Sequence, residues 1–180
     1  YGVTVTSGNA GTTVTDNAPA FSATVFKGTG PMVMQPYASN FTAAVDLSNV
    51  TLDAAFTSLT VGKAGTSGAD QSSANITLGG ASIASGTTTA NSTKIAGPIL
   101  VYGGLITYNS NLENTSSTAG QQNILLKATG GIYGGSSYTM KTGGGDIVLW
   151  ANADGVADGS IDLSYGAITT GGGNFVAAGG

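Results

Sequence analysis

A polar or turn residue followed by an alternating apolar tetrapeptide recurs along the chain, as NVTLD from Asn49, NITLG from Asn75, PILVY from Pro98, NILLK from Asn123, DIVLW from Asp146 and NFVAA from Asn174. Successive starts lie 26, 23, 25, 23 and 28 residues apart, and the longest step holds an extra turn, NADGVADG, at residues 152–159. Alternation with period two marks half-buried strands, and self-similarity at this spacing marks a repeat architecture. A second short stretch follows in each interval: SLTV at Ser58, ASIAS at Ala81, LITY at Leu105, GIY at Gly131 and SIDLS at Ser160. A third, less regular one lies near Ile95, Tyr138 and Ile168. Two to three short strands with glycine, asparagine and serine corners make one coil of about 25 residues, the period of a repeat whose units stack by nearest-neighbour contact. The predicted fold is all-β, a parallel β-solenoid in which each coil hydrogen-bonds to the coils above and below.

Aligned by column, the first position after the corner reads Val50, Ile76, Ile99, Ile124, Ile147, Phe175 and the third reads Leu52, Leu78, Val101, Leu126, Leu149, Ala177. Side chains alternate across a strand, so these two apolar columns are expected to point inward. The corner column is Asn49, Asn75, Pro98, Asn123, Asp146, Asn174. It fits either a ladder of side-chain amides or the preference of asparagine for tight turns. GVTVT at Gly2 and TVFK at Thr24 follow the same ruler, although Lys27 falls where an apolar residue is expected. Residues 31–50 break the pattern and read as an irregular coil, a loop or one short helical turn. The chain is therefore divided into irregular β-rich N-terminal coils or a cap over 1–48 and regular solenoid coils over 49–180.

The outward positions carry the functional signal. The second column reads Thr51, Thr77, Leu100, Leu125, Val148, Val176 and the fourth reads Asp53, Gly79, Tyr102, Lys127, Trp150, Ala178, so the outer face turns apolar from the third coil onward. Leu100, Leu125 and Val148 are expected side by side at about 4.8 Å steps, flanked by Tyr102, Lys127 and Trp150. A contiguous apolar row on an outer face marks something that covers it. The alternatives are another segment or domain of the same protein, a second rod packed laterally, or sugar rings stacked on Tyr102 and Trp150.

Composition narrows the chemistry. Glycine (30), alanine (24), serine (18) and threonine (25) fill more than half of the 180 positions. Five lysines, no arginine, eight aspartates and one glutamate give a net charge of −4. There is no basic footprint for a phosphate backbone, and nucleic acid is not expected as a partner. Histidine and cysteine are absent, which excludes thiol nucleophiles, histidine bases, disulfides and the usual zinc sites. No apolar run approaches the roughly 18 residues of a membrane span. Tyr1 is preceded by no initiator methionine or signal segment, so the chain reads as a processed product or a piece of something longer.

Polysaccharide-cleaving β-helices need clustered carboxylates, whereas Asp53, Asp70, Glu113 and Asp146 are isolated in sequence. Asp154, Asp158 and Asp162 are close together, but Gly155 and Gly159 make their segment a loop, and no enzyme is expected. Asn152, Asp154 and Asp158 offer oxygen ligands for calcium. Against the EF-hand template, Trp150 stands in place of the first aspartate and Ile161 in place of the bidentate glutamate, so a solvated loop is preferred and no cofactor is expected. An ice-binding face is a remote alternative: Thr4 and Thr6, Thr13 and Thr15, and Thr87 and Thr89 do not recur at the coil period.

From about Leu59 to Gly180 the order of AGPILVYGG, ILLKATG and GGGDIVLWANADG, followed by GAITTGGGNF, resembles the repeats of very large bacterial surface proteins of the filamentous-haemagglutinin-like type. The resemblance implies a right-handed parallel β-helical rod, export to the bacterial cell surface, and adhesion to surfaces, cells or glycans. It brings no shared catalytic or ligand residues. The expectation is thus a non-enzymatic structural or adhesive segment of a secreted surface fibre, with self-association, neighbouring repeats and surface glycans as partners. A carbohydrate-binding or carbohydrate-active β-helix is the alternative.

Overall fold

The computed structural model describes residues 4–6, 11–16, 21–64, 74–135, 137–156, 159–164 and 166–179, and these form strands and turns without a helix. The chain runs through β1 (Thr4–Thr6), β2 (Thr12–Thr15), β3 (Thr24–Lys27), β4 (Pro31–Gln35), β5 (Val45–Asp46), β6 (Val50–Asp53) and β7 (Ser58–Val61). It continues through β8 (Ile76–Leu78), β9 (Ala81–Ala84), β10 (Thr87–Ala90), β11 (Ser92–Ile95), β12 (Ile99–Gly103), β13 (Ile106–Tyr108) and β14 (Asn111–Asn114). The remaining strands are β15 (Ile124–Ala128), β16 (Ile132–Gly134), β17 (Thr139–Lys141), β18 (Ile147–Trp150), β19 (Ile161–Asp162), β20 (Ala167–Thr169) and β21 (Phe175–Ala178).

The strands stack as a β-solenoid with about 27 residues per turn. One side is a seven-stranded sheet in the order β2-β4-β7-β12-β15-β18-β21, and a second is β5-β8-β13-β16-β19. The third side is shared by β1-β3-β6-β9-β10 and β11-β14-β17-β20. Ala96, just after β11, donates its N–H to the Phe56 carbonyl at 2.9 Å, just after β6, so the second of these sheets takes over where the first leaves off. The changeover is a β-hairpin. β9 pairs in parallel with β6, turns through Ser85 (φ 48°) and Gly86 (φ 82°), and returns as the antiparallel β10. Positive φ at both turn residues is what a two-residue hairpin with right-handed strand twist requires.

The inward columns carry the core. In the seven-stranded sheet they are Met32, Leu59, Ile99, Ile124, Ile147 and Met34, Val61, Val101, Leu126, Leu149, all fully buried and in register from turn to turn. The repeats from Pro98, Asn123, Asp146 and Asn174 occupy one column as the alternation predicts. Those from Asn49 and Asn75 do not: NVTLD is β6 and NITLG is β8, on two other sides. The true neighbour of Ile99 and Val101 is SLTV, through Leu59 and Val61. ASIAS likewise forms β9 on the third side, while LITY, GIY and SIDLS share the sheet of β8. Every side of a solenoid needs a corner followed by an inward-outward alternation, so the motif does not say which side it belongs to. Residues 31–50 wind through β4 and β5 and bury Met32, Met34, Phe41, Val45 and Leu47.

Close stacking demands complementarity between turns. Tyr108 is 1% exposed and stands in register with Gly134, where a side chain would run into the Tyr108 hydroxyl. The ring of one turn occupies the space its neighbour leaves empty. Ser82, Ser92 and Asn114 are buried polar groups with partners: Ser82 Oγ donates to Ser92 Oγ at 2.7 Å, and Asn114 Nδ2 donates to the Gln121 and Asn123 carbonyls at 3.0 and 3.2 Å. Such pairing offsets the desolvation of each group.

At the corner of the seven-stranded sheet, side chains reach the backbone of the next turn. Asn123 Oδ1 accepts the Asp146 N–H at 3.0 Å, and Asp146 Oδ1 accepts the Asn174 N–H at 2.8 Å and its Nδ2 at 3.1 Å. This is a ladder from side chain to backbone rather than a stack of amides, and Asp146 serves because only an acceptor is needed. Asn49 and Asn75 sit at corners of other sides, where Asn75 Oδ1 accepts the Leu105 N–H at 3.1 Å.

Candidate functional site

The outward column of the seven-stranded sheet runs Thr13, Val33, Thr60, Leu100, Leu125, Val148, Val176 in consecutive register. Leu100, Leu125 and Val148 are therefore adjacent and partly exposed, and Val176 extends the row. The members below Leu100 are Thr60, Val33 and Thr13 rather than Thr51 and Thr77, which lie on other sides. Two residues further along each strand, Tyr102, Lys127, Trp150 and Ala178 form a parallel row. Trp150 is 42% exposed, and Lys127 Nζ lies 4.2 Å from its ring centroid, a cation–π contact. The early segment, one candidate cover, is wound into the solenoid, and its β4 lies in this same sheet.

Aspartates serve the corners. Asp46, Asp53, Asp154 and Asp162 each accept the backbone N–H two residues on, at 2.8, 3.0, 3.2 and 3.0 Å. These are Asx-turns, a local use of the carboxylate that fixes loop geometry. In the calcium candidate, Asn152 (φ 52°) and the exposed Asp154 are turn residues, and Asp158 lies outside the described residues, as does Asp70. Among the described residues no three histidine, cysteine, aspartate or glutamate side chains gather as a metal site. Of the threonine pairs, Thr13 and Thr15 are exposed on β2, and Thr87 and Thr89 are exposed on β10.

Sequence reasoning missed one cluster. Lys94, Glu113 and Lys141 stand in register on β11, β14 and β17, with Lys94 Nζ and Lys141 Nζ each 3.3 Å from a different Glu113 oxygen. With Thr89, Ser92, Asn111 and Thr139 they line a groove of about 240 Å³ beside the hairpin. Its signal is the Lys, Glu, Lys column that appears once STKI, NLEN and TMKT are aligned. NLEN hides it by placing the polar Asn114 inward.

A scan of protein-family models, a search of curated proteins and a search of solved structures each returned no match. The class defined by the fold is the β-solenoid repeat protein. Among the described residues no helix is long and apolar enough to cross a membrane.

Proposed function

We propose that this chain is a non-enzymatic segment of an exported bacterial surface fibre or adhesin, of the filamentous-haemagglutinin-like kind, and that its apolar outward row is a lateral contact between rods. The observation that carries the reading is the unbroken row Leu100, Leu125, Val148, Val176 on an in-register sheet. Stacked exposed apolar side chains lower their free energy when covered. The flanks support a second copy as the cover. Lys127 lies two residues beyond the row and Asp146 two residues before it, one turn apart. Two rods packed face to face with parallel axes bring the lysine flank of each to the aspartate flank of the other, which favours that register over others.

The test is Leu125→Ser with Trp150→Ser, assayed by electron microscopy and sedimentation. Loss of lateral assembly with an intact far-ultraviolet dichroism spectrum supports the reading. Loss of folding shows instead that the row is covered within the molecule. Unchanged assembly together with lost retention on glycan-coated surfaces supports the alternative, a stacking platform for sugar rings.

A further inference from the structure

We propose that the groove between the β9–β10 hairpin and the four-stranded sheet binds a carboxylate carried on a hydroxylated scaffold, a uronic acid or similar sugar acid. The site lies on a different side of the solenoid from the apolar row and does not depend on the lateral contact.

Its floor is a grid built by strand register. Ser92, Asn111 and Thr139 form one row, and Lys94, Glu113 and Lys141 form the next, two residues along the strands. Thr89 of the hairpin supplies the facing wall. Two of the chain's five lysines meet here around its single glutamate, leaving a surplus of one positive charge on a protein whose net charge is −4. An anion is repelled by the molecule as a whole and is locally attracted here. Each ammonium has three N–H donors, and Glu113 takes one from each, so donors remain for a ligand carboxylate.

The second row reads hydroxyls. Asn111 Oδ1 accepts the Thr139 N–H at 2.9 Å and the Thr139 hydroxyl at 3.2 Å. The acceptor end of the amide is thereby used up by the protein, and its Nδ2 donor is the end left to serve a ligand oxygen. The lining residues are all polar or charged, which disfavours an apolar ligand. At about 240 Å³ the groove is below the range of drug-sized pockets and holds one sugar ring rather than a chain.

The test is a titration of the isotope-labelled protein, followed by amide chemical shifts, with glucuronate, glucose and acetate at fixed ionic strength. Saturable shifts at Thr89, Lys94, Asn111 and Lys141 are expected with glucuronate, and binding about tenfold weaker or less with glucose or acetate, since charge-assisted bonds and hydroxyl contacts each carry about that factor. Lys94→Gln with Lys141→Gln lowers glucuronate affinity about tenfold or more. Glu113→Gln raises it, because both ammonium groups lose their competing carboxylate and the surplus becomes two charges. Equal binding of glucose, equal binding of acetate, indifference to the lysine substitutions, weaker binding by Glu113→Gln, or absence of saturable shifts each overturns the proposal. Should the double lysine variant fail to fold, the Glu113→Gln arm decides alone.

Discussion

Tyr108 shows how a single side chain ties stability to pH. Its hydroxyl ionises above the ordinary value of 10.0, chiefly because burial disfavours the phenolate and secondarily because of the negative charge of Asp162. A group whose pKa is raised by folding gives stability that is fully present below the unfolded value and is lost as pH climbs toward the folded one. The contribution of Tyr108 to stability is therefore expected to be constant from neutrality to about pH 10 and to be lost progressively above. Tyr108→Phe should flatten that alkaline loss. Denaturant midpoints measured across the alkaline range for both proteins check this, and an unchanged alkaline slope in the variant would contradict it.

At the scale of the element, glycine has two separate duties. Gly86, at φ 82° in the hairpin turn, has nothing within 4 Å of where a Cβ would stand, so Gly86→Ala meets only the backbone cost of the left-handed region, about 1 kcal/mol. Gly97 carries no such backbone strain, but a Cβ there would strike the Thr57 carbonyl of the turn below. Gly97→Ala should cost about 3 kcal/mol, the upper end of overpacking, because a backbone carbonyl does not move aside as a flexible side chain would. Thermal unfolding of the two variants side by side tests the difference, and equal losses would show that conformation alone sets the use of glycine here.

The same contrast explains what the sequence disclosed. NILLK, DIVLW and NFVAA were legible as one column because inward Ile124, Leu126, Ile147 and Leu149 alternate with partly exposed neighbours without interruption. The apolar row from Leu100 followed directly. The lower turns were legible as strands but not as sides, since the hairpin adds residues within one turn and shifts the ruler. The lysine–glutamate–lysine groove was not legible. It needs β14 to be recognised as a strand, and the buried Asn114, satisfied by loop carbonyls, removes the apolar residue that would announce it.

Across the described residues, stability is a sum of contacts between adjacent turns. The last turn has a neighbour on one side only among the described residues: the inward Phe175 of β21 rests on Ile147 and is 45% exposed. Parallel ladders also decide what happens when the molecule is pulled. Strands lie across the solenoid axis and their hydrogen bonds run along it, so tension applied end to end opens one rung at a time instead of shearing many together. Peeling one turn of about 27 residues gives up one strand spacing of about 4.8 Å and releases roughly 90 Å of extended chain. Single-molecule force spectroscopy should record a series of steps near that length, starting from an end, whereas a single rupture would mean that the turns fail together. A tether built this way lengthens severalfold under load while most of its turns stay folded, and so keeps its attachment by yielding.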